Sequence, residues 1–196
     1  MTQQQEKLKA AKDSSDWDII QRVLQGEQAL LEILYDRYSA KVFYKCLSIT
    51  KDANVSKDLS HDILIKIFMN LAKFKGTSDF SFWVKSISYN YCMDYLKKKK
   101  RIQFGAIDAS EYDNIAADEI ELENKVLKEI QLNQLEVLLK ELKGDDKMIL
   151  LMRYQDSMSV KDISSTLKIS QSAVKMRLKR SRDRLAELLK AAQDEA

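Results

Sequence analysis

The chain contains no proline, and glycine occurs only four times in its 196 residues. Tight turns between strands depend on these two residue types, because glycine adopts positive φ angles without strain and proline fixes φ. A sheet-rich fold of this length would need many such turns. Apolar residues make up 45% of the chain, which is enough for a packed core. The sequence therefore predicts an all-α protein.

Cysteine usage and hydropathy indicate the cellular compartment of the protein and whether it binds a metal. Cys46 and Cys92 stand far apart in sequence within apolar helical segments, and together with the lone His61 they offer too few ligands for zinc. We interpret both as buried, reduced thiols. No apolar run approaches the ~18 residues of a membrane span, and the polar amino-terminal sequence MTQQQEKLKAAKDSSD lacks the apolar middle of a signal peptide. These features predict a cytoplasmic protein without membrane insertion, metal or cofactor.

Charge is distributed unevenly along the chain, although the formal net charge is only +3. Residues 1–104 carry 18 Lys and Arg against 12 Asp and Glu. Residues 105–130 carry 2 against 8, and residues 131–196 carry 13 against 10. An acidic strip thus separates two basic blocks, which indicates two domains joined by a linker.

The periodicity of apolar residues divides the chain into five segments. Two small helical domains are predicted, one over residues 16–104 and one over residues 128–190. A flexible acidic linker over residues 105–127 joins them. Residues 1–15 are predicted to be a disordered tail and residues 191–196 a short second tail.

Four helices are predicted in the first domain. The first starts near Asp16 and ends at Gly26, and the second runs over residues 27–50. Ser56 is predicted to cap the third, and the fourth covers about 79–100. Apolar residues at helical spacing are expected to face the core: Ile19, Ile20, Val23 and Leu24 of the first helix, Leu59, Ile63, Ile67, Leu71 and Phe74 of the third segment, and Trp83 and Ile87 of the fourth helix.

The second domain ends in a helix-turn-helix pattern. Helices are predicted at about 125–142 and 145–155, with Gly144 ending the first of them. Ser159 then opens a short helix with the capping-box sequence SVKD, and Ser170 caps the final helix after a turn of about three residues. Two helices joined in this way, the second of them basic, are typical of DNA-binding helix-turn-helix domains.

The final helix begins with SQSAVKMRLKRSRDRL, residues 170–185, which contains six basic residues. One sector of its helical wheel holds Val174, Leu178, Ser181 and Leu185, and we expect this sector to pack on the preceding helices. In a major groove the first half of the helix would reach base edges, and later arginines would meet phosphates. A solvated charged helix that binds nothing is the alternative. The residues assigned to base edges are Gln171, Ser172, Lys175, Met176, Lys179 and Arg180, and those assigned to phosphates are Arg182 and Arg184.

Three stretches, taken in order, resemble an RNA polymerase sigma factor of the extracytoplasmic-function subgroup of the sigma-70 family. DLSHDILIKIFMNLAKFKG is similar to the helix that docks on the polymerase clamp. DFSFWVKSISYNYCMDYLKKKKR is similar to the promoter-melting segment, including its W-x3-I-x2-N-x3-D spacing. SVKDISSTLKISQSAVKMRLKRSRDRL is similar to the reader of the minus-thirty-five element. The similarity covers about 16–104 and 128–188.

The resemblance implies a region 2 domain and a region 4 domain that bind core RNA polymerase and promoter DNA, with an anti-sigma factor as an inhibitory partner. The acidic linker would approach the RNA exit path of the polymerase, or would act only as a solvated tether. The loop KFKGTSDF resembles the family's recognition loop for a flipped minus-ten base. The residues that the resemblance assigns to core-polymerase docking are Asp58, Asp62, Ile65, Lys66 and Met69, and those assigned to minus-ten DNA are Lys75, Thr77, Ser78, Phe80, Asn90, Asp94, Lys97, Lys98 and Arg101.

The sequence departs from the family at two positions where arginine is frequent. Lys97 and Lys175 keep the positive charge but lose the bidentate fork of a guanidinium. For the docking residues, plain helix solubility is the alternative, since Asp62 and Lys66 form an ordinary pair four residues apart.

Two other functions compete with that of a sigma factor. A stand-alone helix-turn-helix regulator would act as a dimer on paired half-sites, with the first hundred residues serving ligand binding or dimerisation. An enzyme is disfavoured because the sequence contains one histidine and none of the Walker, HExxH or Ser-His-Asp patterns. His61 and Asp62 are neighbours on a helix and point about 100° apart, so they do not form a catalytic pair. No catalytic residue is therefore predicted.

Overall fold

A computed structural model describes residues 11–104, 138–139 and 141–194. Every regular element among these residues is a helix, and the chain divides into two compact units, Met1–Tyr95 and Leu96–Ala196. The prediction of an all-α protein with two helical domains is confirmed.

Some predicted features lie outside the described residues. They include the linker over residues 105–127 and most of the helix predicted at 125–142. The side chain of Arg101 also lies outside them. The carboxyl-terminal tail predicted from residue 191 overlaps the last helix, which is described as far as Asp194.

The first unit is built from three α-helices and the greater part of a fourth, with two short 3-10 turns between them; the fourth helix continues past Tyr95 into the second unit. The elements are α1 (Asp16–Leu24), a 3-10 turn (Gln28–Leu30), α2 (Leu31–Thr50), α3 (Ala53–Met69), a second 3-10 turn (Leu71–Lys73) and α4 (Phe80–Phe104).

The residues just before α1 are packed against the first unit. The guanidinium of Arg37 donates to the carbonyl oxygens of Lys12, at 2.6 Å, and Ser14, at 2.8 Å. Ala11 is buried. The side chain of Ser15 caps α1 by accepting from the backbone N–H of Asp18 at 3.1 Å. Residues 11–15, which overlap the predicted tail, therefore belong to the folded unit.

Helix α1 ends where the sequence predicts, next to Gly26, which has a φ of +111°. Ile19, Ile20 and Val23 are buried as expected, whereas Leu24 is exposed. The prediction for Leu24 was wrong because this residue is the last of the helix and lies outside its buried stripe.

Helix α3 begins one turn earlier than predicted. Lys51 ends α2 in the left-handed conformation, and the carboxylate of Asp52 then caps α3 by accepting from the N–H of Val55 at 3.0 Å. Ser56 was predicted as the cap, but it is buried inside the helix and its hydroxyl donates to the carbonyl of Asp52. Because Asp52 follows directly on the end of α2, the next helix starts without an intervening loop.

The core of the first unit confirms the stripe predicted for α3, since Leu59, Ile63, Ile67, Leu71 and Phe74 are all buried. Helix α4 differs from the prediction. It buries a stripe that includes Phe80, Val84 and Cys92, whereas Trp83 and Ile87 are only partly buried. Apolar residues occur around much of α4, so a helical wheel does not distinguish stripes that differ by one residue, and the packing partners decide between them.

Cys46 of α2 and Cys92 of α4 are both free and buried, as predicted. They are distant only in sequence, because their Sγ atoms lie 3.8 Å apart across the α2–α4 contact. The hydrogen bond to the Cys46 sulfur and burial raise the pKa of Cys92. The pair therefore contributes to core packing with the Cys92 thiol protonated at neutral pH.

The second unit contains three described α-helices. Helix α5 (Gly144–Leu150) continues into a π-helical turn (Leu151–Gln155), and α6 (Val160–Leu167) and α7 (Gln171–Asp194) follow. Gly144 was predicted to end a helix, but it is the first residue of α5. The two aspartates that follow it favour a helix amino terminus, where their charge complements the helix dipole.

Candidate nucleic-acid interface

The helix-turn-helix of the second unit is held by side-chain caps at both helix starts. The Ser159 hydroxyl accepts from the N–H of Asp162 at 3.1 Å, and the Asp162 carboxylate accepts from the N–H of Ser159 at 3.1 Å. Lys168 ends α6 with a φ of +56°. Ser170 then starts α7 by accepting from the N–H of Ala173 at 3.1 Å. The predicted capping box, turn and second cap are confirmed.

The buried face of α7 fixes which face remains outside. Val174, Leu178, Ser181 and Leu185 are all buried, as the helical wheel predicted. The hydroxyl of Ser181 also donates to the carboxylate of Asp146 on α5 at 3.0 Å. Since both apolar packing and a polar contact hold this face, the rotation of α7 about its axis is set.

The surface of α7 outside this buried face is polar and basic. Met176 and Arg182 are partly buried, and the guanidinium of Arg182 donates to the Tyr154 hydroxyl at 3.3 Å. The other side chains assigned to DNA are exposed: Gln171, Ser172, Lys175, Lys179, Arg180 and Arg184. A rigid helix with exposed amides, hydroxyls and cations suits base edges and phosphates in a major groove.

A second group of predicted residues lies along one side of α3, and we call it the docking stripe: Asp58, Asp62, Ile65, Lys66 and Met69. All five side chains are exposed. Ile65 is 44% exposed and Met69 is 80% exposed, although both side chains are large and apolar. Exposed apolar side chains beside charged ones are characteristic of protein interfaces.

Tyr91 of α4 contacts the docking stripe, although sequence analysis did not single it out for this. Its hydroxyl donates to the Asp62 carboxylate at 3.3 Å, and the Lys66 Nζ lies 5.2 Å from the centre of its ring. Burial and the neighbouring Asp62 charge raise the pKa of Tyr91. Residues 29 positions apart in sequence are brought together here only by helix packing.

The loop between α3 and α4 borders a cleft of about 760 Å³ in the first unit. Its walls include an aromatic cluster in which Phe80 lies 5.2 Å from Tyr38 and 5.1 Å from Phe74, measured between ring centres. Polar residues of the loop form the rest of the rim. The cleft is lined by Ser15, Asp16, Trp17, Tyr38, Phe74, Gly76, Thr77, Ser78, Asp79, Phe80 and Ser81.

Only some of the residues predicted to contact minus-ten DNA line this cleft. Thr77 and Ser78 line it with exposed side chains. Phe80 also lines it but is only 4% exposed, so it serves as part of a wall and not as a free stacking platform. The remaining described members lie outside the cleft lining: Lys75 on the loop and Asn90, Asp94, Lys97 and Lys98 along α4.

The carboxylate of Asp16, which lines the cleft, is fixed by two side chains of α2. It accepts from the Arg37 guanidinium at 2.5 Å and from the hydroxyl of Tyr38. Burial, followed by this contact with Asp16, raises the pKa of Tyr38, so its hydroxyl remains a donor at physiological pH. These contacts join α1 to α2, and sequence reasoning did not identify them.

Two known protein families match this chain, one over most of the first unit and one over the helix-turn-helix. The family described as Sigma-70 region 2 matches residues 34–102, and the family described as Sigma-70, region 4 matches residues 132–185. The chain belongs to the sigma-70 family. The first match contains the docking stripe and most of α4, and the second contains the helix-turn-helix.

Relatives of this sigma factor carry the name of the extracytoplasmic-function (ECF) subgroup. The ECF RNA polymerase sigma factor SigW of Bacillus subtilis (strain 168) is 24% identical over 177 residues, covering 87% of this chain and 95% of that protein. The ECF RNA polymerase sigma-E factor of Escherichia coli (strain K12) is 26% identical over 175 residues, covering 86% and 91%. The predicted family and subgroup are confirmed.

The fold of this sigma factor is similar to that of the sigma factor RpoE from Bartonella quintana, solved in complex with the anti-sigma factor NepR. The TM-score is 0.56 at 20% identity, covering 82% of this chain and 96% of the RpoE chain. Among the described residues, no helix is both long enough and apolar enough to cross a membrane. This sigma factor is thus a helical two-domain protein of transcription initiation.

Proposed function

We propose that this chain is a promoter-specificity subunit that reads two promoter elements while bound to core RNA polymerase. The observation that carries the proposal is the presence, in one chain, of a capped helix-turn-helix with a basic outer surface and of a separate unit that bears both an exposed docking stripe and an aromatic cleft. In this role the core polymerase carries out RNA synthesis, and the chain supplies no catalytic residue. The chain would act in the cytoplasm, where the polymerase and the chromosome are.

The second unit would read the minus-thirty-five element. Gln171, Ser172 and Lys175 lie at the start of α7, the end that enters a major groove in helix-turn-helix complexes. Arg184 lies farther along α7, at an exposed position suited to contact with the phosphate backbone. Phosphate contacts contribute affinity and salt sensitivity, and base-edge contacts contribute sequence choice.

The first unit would bind and melt the minus-ten element. The cleft can accept a base that leaves the stack, and favourable stacking on protein aromatics offsets part of the cost of unstacking. Asn90 offers both a donor and an acceptor to a base edge, while Lys97 and Lys98 on α4 supply positive charge for the displaced strand. The apolar members of the docking stripe, Ile65 and Met69, would be buried against the polymerase.

An anti-sigma factor is proposed as a third partner. RpoE, whose fold this chain shares, was solved bound to one. We expect the anti-sigma factor to bind the docking stripe. Covering Ile65 and Met69 would remove apolar area from water, and it would also prevent the polymerase from binding the same residues.

The decisive experiment reconstitutes the purified chain with core polymerase that lacks any sigma factor and maps transcript starts on genomic DNA. We expect starts that share two sequence elements at fixed upstream distances. Gel-shift assays on the same promoters should show weak binding by the chain alone and strong binding with core polymerase. Scattered starts, or equally tight binding without polymerase, would instead favour a stand-alone helix-turn-helix regulator acting as a dimer.

Two substitutions on α7 should separate affinity from sequence choice. Arg184→Ala removes a proposed phosphate contact, so binding should weaken evenly across promoter sequences and the slope of log K against log salt should fall by about 1. Lys175→Ala removes a proposed base-edge contact, so the preferred minus-thirty-five sequence should change at one position, by about 1–3 kcal/mol. Holoenzyme binding to a promoter library at several salt concentrations measures both quantities.

Arg182, assigned to phosphates, and Lys179, assigned to base edges, serve as a second pair for the same comparison. Arg182 is already held by Tyr154, so its substitution should have a smaller effect than that of the exposed Arg184. Identical behaviour of the phosphate pair and the base-edge pair would show that the division between them is wrong.

A further inference from the structure

Helix α4 contributes one side chain that contacts the docking stripe of α3. The hydroxyl of Tyr91 donates to Oδ2 of Asp62 at 3.3 Å, and the Nζ atom of Lys66 lies 5.2 Å from the centre of the Tyr91 ring. The second distance is within the range of a cation–π contact. A single, partly buried tyrosine therefore contacts both an anion and a cation of the stripe.

These contacts stand in place of the one that the spacing of the two charged residues favours. An acidic residue four positions before a lysine has the better orientation for a direct ion pair on a helix. Within the described residues, however, no ion pair joins Asp62 to Lys66. The carboxylate contacts the hydroxyl of Tyr91 and the ammonium contacts its ring. The two opposite charges therefore do not neutralise each other by direct contact.

Both charges remain on the surface, next to the apolar part of the stripe. Asp62 and Lys66 are exposed, as are Ile65 and Met69. Charged groups beside an apolar contact favour a partner with complementary charges. A partner that buries Ile65 and Met69 would meet Asp62 with a basic side chain and Lys66 with an acidic one. Side chains four residues apart on a helix are spaced by about 5–6 Å, which sets the spacing required of the partner.

Tyr91 also restricts the motion of the two charged side chains before a partner binds. Exposed aspartate and lysine side chains adopt several rotamers, and fixing them at an interface costs binding free energy. Tyr91 is held more firmly, because it is partly buried and its neighbours on α4, Cys92 and Met93, are buried in the core. Contacts with this ring therefore leave less side-chain entropy to be lost on binding.

We propose that Tyr91 is a positioning residue for the binding of core polymerase. It keeps Asp62 and Lys66 apart and limits their rotamers, so that the docking stripe presents one acidic and one basic group in fixed places. The polymerase surface that fits it carries a basic side chain opposite Asp62 and an acidic side chain opposite Lys66. This inference rests on the proposed function, since it requires the stripe to bind the polymerase.

Titration of the fluorescently labelled chain with core polymerase tests this role. Tyr91→Ala should raise the dissociation constant on the order of tenfold, and Tyr91→Phe by about two- to fivefold, because phenylalanine keeps the ring beside Lys66. Tyr95→Phe is the matched control. It removes a hydroxyl one turn farther along α4 that, among the described residues, has no hydrogen bond to the stripe, and it should leave the dissociation constant unchanged.

A double-mutant cycle and the salt dependence separate positioning from a general effect on folding. In a chain that already carries Asp62→Ala, the Tyr91 hydroxyl has lost its acceptor, so Tyr91→Phe should weaken binding by less than about 1.5-fold. In Tyr91→Ala, Asp62 and Lys66 are able to pair with each other, so the logarithm of the dissociation constant should rise less steeply with salt than in the wild type. A residue that only supports the fold of α4 would give additive losses and an unchanged salt slope.

The possible results distinguish this inference from the function on which it rests. Failure of the wild-type chain to bind core polymerase would remove the proposed function itself. Tight binding by the wild type, with Tyr91→Ala and Tyr91→Phe as tight as Tyr95→Phe, would overturn the positioning role, and so would additive losses in the cycle. Circular dichroism identifies a variant that fails to fold. If Tyr91→Ala is such a variant, the cycle with Tyr91→Phe decides.

Discussion

Replacing Ile65 and Met69 together by alanine should weaken binding to core polymerase by roughly 30- to 1,000-fold. Both side chains are large, apolar and exposed on α3 in the free chain. Burying such side chains contributes about 1.5–3 kcal/mol each when complete, so losing most of two contributions costs about 2–4 kcal/mol of binding free energy. Titration of fluorescently labelled chain with core polymerase measures the dissociation constant.

Tyr44→Ala provides the comparison for this prediction. Tyr44 is 66% exposed on α2, so its removal tests whether any exposed apolar side chain of the first unit matters equally. We expect its dissociation constant to stay within about threefold of the wild type, which corresponds to less than 1 kcal/mol. Equal losses for Tyr44→Ala and the double variant would show that the docking stripe is not the specific contact surface.

Truncating Leu178 to alanine should unfold or loosen the helix-turn-helix. Leu178 is 3% exposed and lies in the middle of the buried face of α7. Leucine-to-alanine changes at such positions cost about 2–5 kcal/mol, since the loss of apolar burial is joined by the cost of the cavity. That is a large share of the stability of a small domain. Urea denaturation followed by circular dichroism should show an early transition that the wild type lacks.

The functional consequence of Leu178→Ala should be confined to the minus-thirty-five element. Transcription from promoters that depend on this element should fall, while the affinity for core polymerase through the first unit should be largely kept. Leu188→Ala is the control on the same helix, because Leu188 is only partly buried and its truncation should cost less than about 1.5 kcal/mol. Comparable destabilisation by the two variants would contradict the packing described for α7.

Helix starts and helix faces were predictable where one local interaction dominates. The capping box at Ser159, the cap at Ser170 and the buried face of α7 follow from side chains within one or two turns of each other. The same holds for the apolar stripe of α3. The start of α3 shows where such prediction fails. Asp52 and Ser56 lie within about one turn of each other and both residue types can cap a helix, so the choice of Asp52 depends on where α2 ends.

The sequence by itself determined the helical class, the division into two basic modules, the family and the basic face of the reading helix. These properties depend on composition, charge and spacing along the chain, which need no partner. Only the tertiary structure brought Trp17 against Gly76, placed Tyr91 beside Asp62, and set the sulfur atoms of Cys46 and Cys92 next to each other. Each of these contacts joins residues at least 29 positions apart, and their positions follow from how helices pack, which periodicity within a single helix does not specify.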